Sequence, residues 1–249
     1  MNFQNIPRSD KVVKRGFVPK LDALLFCDYA QIELRLLAYY MAALGDSSMA
    51  DAIIAGKDLH SESAIGALGL SGDPTDEQRQ VGKTLNFSLV YGGGTPTIMR
   101  QLEIPFPEAK KLLRNFHARW PGIQIVINTI NDEIARKGYI KTLFGRNLHP
   151  DSEHKRLNAL VQGCAADLMR WALVNVDEHL KEADSHLVSV IHDELIIDAT
   201  EKELDWLVQE VPNWMRYSPV EEFVPIGVDP EVSFTNWAEK GKFERRHAV

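Results

Sequence analysis

Two cysteines in 249 residues are too few for a disulfide framework or a cysteine-rich zinc site. Cys27 and Cys164 both sit in apolar stretches, where a free thiol behaves as a small buried hydrophobe. No run of about 18 apolar residues occurs, so the sequence offers no membrane-spanning helix. The opening residues, Met1-Asn2-Phe3-Gln4-Asn5-Ile6-Pro7, lack the basic stretch and apolar core of a secretory leader. There is no internal repeat and no low-complexity linker. An apolar fraction of 45% with 25% charged residues excludes disordered and collagen-like classes. A phosphate-binding P-loop is missing too. Gly82-Lys83-Thr84 has its ending, but Glu77 stands where the first glycine belongs.

What is present begins with charge. The net value of −7 argues weakly against a polyanionic partner. That average hides an uneven distribution. Residues 1–20 carry a net +4 and residues 100–156 a net +5, which leaves −16 elsewhere. Two basic segments in an acidic chain could form a groove for a polyanion, but on charge alone solvated helix faces are the favoured reading.

Hydrophobic periodicity supplies the elements. Leu21–Cys27 reads as a buried strand ending at Asp28, and Gln31–Leu44 as a helix. Residues 47–70 read as two short helices. Thr75-Asp76-Glu77-Gln78 fits a capping box, opening a helix to Tyr91 that Gly92-Gly93-Gly94 stops. Helices are expected at Pro107–Trp120, Ile123–Lys137, Glu153–Ala183 and Glu201–Tyr217. Hairpins are expected over Tyr139–Leu148 and around His192-Asp193-Glu194, with a last strand at Val224–Val228 and a mobile tail from Lys240. The fold class is α+β, a mixed α/β chain with a small antiparallel sheet and many helices.

Asp28 and Asp193 each end or interrupt an apolar strand, so strand pairing can bring them together across 165 positions. Converging carboxylates suit Mg²⁺, and two such ions suit phosphoryl transfer. Each acid alone reads more readily as a turn cap, the commoner role of such residues. Arg79, Lys83, Phe87 and Tyr91 recur every fourth residue, two cations followed by two aromatics. That stripe matches a nucleoside triphosphate, and equally a solvated face with a core contact. Gly92-Gly93-Gly94 is a helix stop or a hinge. Gly163, inside a helix beside Gln162, points to close approach of a nucleic-acid groove or of another element. His149 and His154 read as surface histidines. Trp120, Trp171, Trp206 and Trp214 read as core.

Together these segments resemble the family A (bacterial Pol I-like) DNA polymerases. Asp28-Tyr29-Ala30-Gln31-Ile32-Glu33-Leu34-Arg35 resembles motif A, Arg79 through Gly92 motif B, and His192-Asp193-Glu194 motif C. Gln4-Asn5-Ile6-Pro7 resembles the QNIP segment, Thr142-Leu143-Phe144-Gly145-Arg146 the T-x-x-G-R hairpin, and Gln162 through Asp167 the QGTAAD segment. The matches keep the family's order from residue 2 to about Trp237.

The resemblance implies a right-hand palm with helical fingers: palm at 1–38, fingers at 39–152, palm again at 153–249. It implies a DNA-templated DNA polymerase that adds deoxynucleotides to a primer, with two Mg²⁺ ions and Mn²⁺ as a substitute. The metal set would be Asp28, Asp193, Glu194 and the Tyr29 carbonyl. Arg79 and Lys83 would take the triphosphate, Lys83 doubling as general acid, and Phe87 and Tyr91 would line the sugar and base pocket. Glu33 would exclude a ribose 2′-OH and hold Tyr91. Gln31, Gln162, Asn158, His192 and Arg146 would meet primer-template DNA.

Ala30, Ser88 and Cys164 are small departures from the family pattern, and His154 stands where an arginine is common. The T-G-R-L-S segment, thumb and exonuclease that usually precede QNIP are absent from the sequence. The expected partners are therefore DNA, dNTPs and a polypeptide supplying the thumb, with no membrane. The expected location is cytoplasmic, in a bacterial cell or phage-infected host. A single-subunit RNA polymerase-like enzyme is the second reading, opposed by Glu33. A catalytically silent DNA-binding subunit is the third, opposed by intact Asp28, Asp193, Arg79 and Lys83.

Overall fold

The computed structural model describes Ile6 and residues 10–243, which divide into two compact units. Unit 1 holds the described residues up to Ile32, then Leu168–Ser218 and the chain from Ile226. Unit 2 holds Glu33–Asp167 and Pro219–Pro225. These borders fall at other positions than the 38/39 and 152/153 divisions expected from the sequence.

Along the chain come α1 (Lys11–Arg15), β1 (Ala23–Tyr29), α2 (Ile32–Ala43), α3 (Ser48–Ile54) and α4 (Leu59–Leu68). Next are α5 (Asp76–Val90), α6 (Thr95–Leu102), α7 (Phe106–Arg119) and α8 (Gly122–Lys137). The small hairpin β2 (Ile140–Lys141) and β3 (Asn147–Leu148) precedes the long α9 (Arg156–Leu180). The chain ends with β4 (His186–Ile191), β5 (Glu194–Ala199), α10 (Glu201–Trp214), α11 (Ser218–Glu221), β6 (Val228–Ser233) and β7 (Gly241–Lys242).

Unit 1 is built on a five-stranded antiparallel sheet in the order β4-β5-β1-β6-β7. Its central strand is apolar on both faces because both are covered. Leu25 and Cys27 lie on the side packed by α10, while Leu24 and Phe26 join Ile191, Ile196 and Trp237, with Ile6 and Phe17 against them. Burial, with a smaller push from Glu194, raises the Cys27 thiol far above its ordinary pKa and keeps it protonated. The entry to β1 is fixed by Asp198, whose carboxylate accepts from the backbone N–H groups of Lys20 and Leu21 at 3.0 and 3.1 Å.

Unit 2 is helical. α5 opens with the expected capping box: Gln78 N–H donates to the Thr75 hydroxyl, and Thr75 N–H to the Gln78 side chain at 2.9 Å. α4 lies against α5 closely enough that a Cβ on Gly82 would sit 2.0 Å from the His60 carbonyl oxygen. A mid-helix glycine is the residue that permits this approach, at a cost of roughly 1 kcal/mol in helix propensity. A buried polar chain stitches the same helices: Asn86 Nδ2 to His60 Nδ1 at 2.9 Å, Ser63 Oγ to Asn86 Oδ1 at 2.9 Å, and Trp120 Nε1 to Ser63 Oγ at 3.0 Å. Each such bond contributes about 1 kcal/mol, and leaving one partner unsatisfied costs more.

Several expectations are corrected. The last long strand is Val228–Ser233 rather than Val224–Val228, because Val224 and Ile226 are buried in a loop outside the ladder and Pro225 has no N–H to give it. The segment from Lys240 is ordered through β7, which pairs with β6; residues 244–249 lie outside the described residues, as do Gln4, Asn5 and Pro7 of the QNIP segment. The helix expected from Glu153 starts with a 3-10 turn and becomes α-helical at Arg156. α6 carries no expectation from the sequence. Of the four tryptophans read as core, Trp120 is fully buried, Trp171 and Trp214 are half-buried, and Trp206 is 42% exposed, since its apolar helix face lies at the surface. Gly163 is explained by the hairpin, as a Cβ there would stand 2.8 Å from Leu148 Cδ1 and 3.3 Å from Thr142 Cγ2. No helix among the described residues is long and apolar enough to cross a membrane.

Thr75→Ala removes the hydroxyl half of the capping box and is expected to cost about 1 kcal/mol. That should lower Tm by about 2–4 °C for a chain of this size. A melting curve superimposable on wild type would show that the box adds nothing.

Candidate active site

In unit 1 the strand register does the positioning. β1 and β5 pair so that Asp28 faces Glu194, one residue from Asp193, and the Tyr29 N–H donates to the Asp193 carbonyl at 3.1 Å. The β4–β5 hairpin turns on two residues, His192 and Asp193, with His192 in the left-handed region at φ 56°. Gln31, just past the other end of the acids, is also left-handed at φ 53°. Asp28, Tyr29, His192, Asp193 and Glu194 therefore gather at one end of the sheet. Tyr29 is anchored from below, its buried hydroxyl donating to the Met215 carbonyl at 2.6 Å. Burial raises its pKa far beyond the ordinary phenol value, so it stays neutral.

β6 supplies a further acid to this row, for Asp28 also pairs with Asp229. Glu194 is almost fully buried and ion-paired with Lys240, which also meets Glu231 at 2.8 Å. Burial works against the Lys240 charge, but the two carboxylates outweigh it and hold its pKa above the usual lysine range. Oxygen donors at a strand end suit a hard divalent cation. Asp28 and Asp193 have the right chemistry, whereas the Glu194 carboxylate is engaged by Lys240. Among the described residues, no group of three or more His, Cys, Asp or Glu side chains is placed to hold an ion. A bound cation would take its remaining ligands from water and substrate oxygens, as Mg²⁺ commonly does.

In unit 2, α5 carries Arg79, Lys83 and Phe87, with Tyr91 as its C-cap. Phe87 and Tyr91 stack at 6.2 Å with 21° between the ring planes and are 39% and 54% exposed. The Lys83 ammonium lies 5.9 Å from the Phe87 ring centre, and the His60 ring 5.8 Å from it. Exposed aromatics beside a cation form a platform for a flat, anionic ligand.

Sequence reasoning missed two residues here. Asp58 grips Arg79 side-on, accepting from Nε at 2.7 Å and Nη2 at 2.9 Å, and also caps α4 through the Ser61 N–H. Although burial opposes it, bonds from Arg79 and Ser61 hold the Asp58 carboxyl far below the usual range. His60, whose pKa is lowered chiefly by burial, is the second. The sequence reading gave Asp58 no role, and its tie to a residue 21 positions later is set by the packing of α4 on α5.

The residues expected at DNA are distributed within these units. Gln162 Nε2 donates to Glu33 Oε1 at 3.3 Å. Arg146 is held by Asp167, at 2.8 and 3.1 Å from Nε, and by the Gly163 carbonyl at 2.9 Å from Nη2. Asn158 Nδ2 is buried without a hydrogen-bond partner. His149 and His154 are exposed, as expected.

The Asp58–Arg79 pair gives a pH prediction. The folded pKa of Asp58 lies below the unfolded value of about 3.9, so its contribution is present above that pH and decays as pH falls. Both side chains are partly exposed, which limits the pair to about 1 kcal/mol at neutral pH. Asp58→Asn keeps the cap and removes the charge. Its urea midpoint should fall below wild type at pH 7, and the gap should begin to narrow only below about pH 4, as the pH falls towards the depressed Asp58 pKa. A gap independent of pH would remove the charge from the explanation.

The chain is similar to DNA polymerase I of Lactococcus lactis, 33% identical over 258 residues covering 96% of this chain and 29% of that protein. It is 34% identical to DNA polymerase I of Helicobacter pylori (93% of this chain, 27% of that one), and 31% identical to the thermostable DNA polymerase I of Thermus aquaticus (92% and 30%). The chain thus spans under a third of the length of these relatives. A solved structure, the POL domain of Pol1 from M. smegmatis in complex with DNA primer-template and dNTP, superposes with a TM-score of 0.85 at 29% identity, covering 96% of this chain and 45% of that one. The sequence model of DNA polymerase family A matches residues 1–239, and the protein belongs to that family.

Proposed function

We propose that the chain is the nucleotidyl-transferring part of a DNA-templated DNA polymerase, which extends a primer 3′ end with deoxynucleotides. The observation that carries this reading is the register that seats Asp28 opposite Glu194 and bonds Tyr29 N–H to the Asp193 carbonyl. Two carboxylates at one strand end, in a chain that also presents Arg79 and Lys83 on a helix, are the parts this reaction needs. The similarity to a polymerase domain solved with primer-template and dNTP supports the same substrates.

The roles follow from chemistry. Asp28 and Asp193, helped by the Tyr29 carbonyl, would hold two divalent ions, Mg²⁺ or in its place Mn²⁺. When bound, such ions stabilise the attacking and leaving oxygens of phosphoryl transfer. Arg79 and Lys83 would bind the triphosphate. Asp58 uses one side of the Arg79 fork and leaves the Nη1 edge for a phosphate. The primer 3′-hydroxyl gives up its proton to solvent, and its oxygen bonds to the α-phosphorus as the bond to the pyrophosphate oxygen breaks. Lys83 would give that leaving group a proton.

Phe87 and Tyr91 would stack against the incoming base and sugar. Glu33, steadied by Gln162, would stand where a ribose 2′-OH would otherwise fit. Gln31, Asn158, Gln162, His192 and Arg146 would meet primer-template DNA, with Arg146 fixed in direction by Asp167. In this scheme unit 1 serves as palm and unit 2 as fingers. Full grip on primer-template would need further protein, in the same polypeptide or a partner, and binding by these residues alone would be weak and salt-sensitive.

Primer extension with Mg²⁺ and dNTPs tests the reading directly, with and without candidate partner proteins. Asp193→Asn should reduce extension by at least ~10³-fold while leaving the melting curve unchanged. Extension at the wild-type rate in that variant would defeat the assignment. Glu33→Ala should raise ribonucleotide incorporation relative to deoxynucleotide by on the order of tenfold or more, since lost steric exclusion is worth one or two powers of ten. An unchanged ratio would remove Glu33 from substrate selection.

A further inference from the structure

The match to the family model ends at residue 239. The next residue reaches the acids. Lys240 Nζ pairs with Glu194 and, at 2.8 Å, with Glu231, and stands 5.1 Å from the Phe26 ring centre. β7 follows at once and fixes the lysine, pairing Gly241 with Val232 and Lys242 with Glu231. A 3-10 turn at Trp237–Glu239, capped by Asn236 and seated through buried Trp237, fixes it from the other side. The ammonium is therefore held at both flanks and directed at two carboxylates.

Cross-strand partners share a sheet face, their Cβ atoms about 5 Å apart. Glu194, Asp28 and Asp229 are such partners on three adjacent strands, so three carboxylates line one edge of the face, with Glu231 two residues along from Asp229. Without Lys240, the buried Glu194 charge would be uncompensated beside Asp28, raising the negative potential there and freeing its oxygens to turn towards a bound ion. Lys240 prevents both.

We propose that Lys240 is a positioning residue that withholds Glu194 from the divalent-ion site and so sets how tightly Asp28 and Asp193 bind the ion. This rests on the reading of those aspartates as metal ligands. A cation site that is too strong retains its ion and product; one with two carboxylates and several waters exchanges them. The lysine keeps the site in the second regime.

Mn²⁺ titration of the full 249-residue chain, followed by the electron paramagnetic resonance signal of the free ion, tests the proposal without requiring activity. Lys240→Met retains the aliphatic stem and removes the charge. It should tighten Mn²⁺ binding on the order of tenfold, the range in which groups behind a ligand act. Lys240→Arg should behave as wild type, and the double variant K240M/E194Q should return to wild-type affinity. If K240M folds poorly, K240M/E231Q leaves only Glu194 without its partner and carries the same expectation. Binding in K240M equal to or weaker than wild type, or tightening that persists in K240M/E194Q, overturns the proposal. The underlying metal assignment fails separately, if Asp193→Asn binds Mn²⁺ as wild type does.

Discussion

Everything proposed for unit 1 depends on the antiparallel pairing of β1 with β5. Side chains alternate along a strand, so the register decides both which residues enter the core and which acids meet. With Leu25 opposite Ile197 and Cys27 opposite Leu195 on the α10 side, Asp28 must fall beside Glu194 on the other. Burial of Leu25, Cys27, Leu195 and Ile197 thus does more than stabilise the sheet. It specifies the position of the carboxylates, and the Tyr29–Asp193 backbone bond closes the remaining freedom of the turn.

Unit 2 solves a different problem, that of presenting cations and aromatics on one helix without letting them collapse onto the protein. Close contact between α4 and α5, made possible at Gly82, puts Asp58 beside Arg79 and His60 beside Phe87. The buried bonds among His60, Ser63, Asn86 and Trp120 hold that contact. A long flexible arginine becomes a directed fork, and the entropy of fixing it is spent in folding rather than at ligand binding.

Features encoded locally were legible in the sequence. The Thr75–Gln78 capping box, the β4–β5 hairpin and the meeting of Asp28 with the His192-Asp193-Glu194 turn all follow from short-range pattern, helped by one strand-pairing inference. Interactions between distant segments were not legible. Nothing near Asp58 names Arg79 as its partner, and for Gly163 the sequence left a nucleic-acid groove and another protein element equally open, of which the structure places the β2–β3 hairpin against it. Apolar pattern also misled where burial occurs without a ladder, as at Val224 and Ile226, or where an aromatic remains at the surface, as at Trp206. Lys240 read as the start of a loose tail because its two partners are brought to it by strands.

The left-handed backbone at Gln31 and His192 bears on how such sites are compared between proteins. A non-glycine residue in that region costs roughly 1–2 kcal/mol, and branched side chains fit it worst. The choice of residue at these two positions is therefore narrowed by backbone geometry before any ligand is considered. A polar side chain that recurs there among relatives would be a record of the turn as much as of the substrate. Only an exchange that keeps the left-handed conformation, such as His192 to asparagine, separates the two histories.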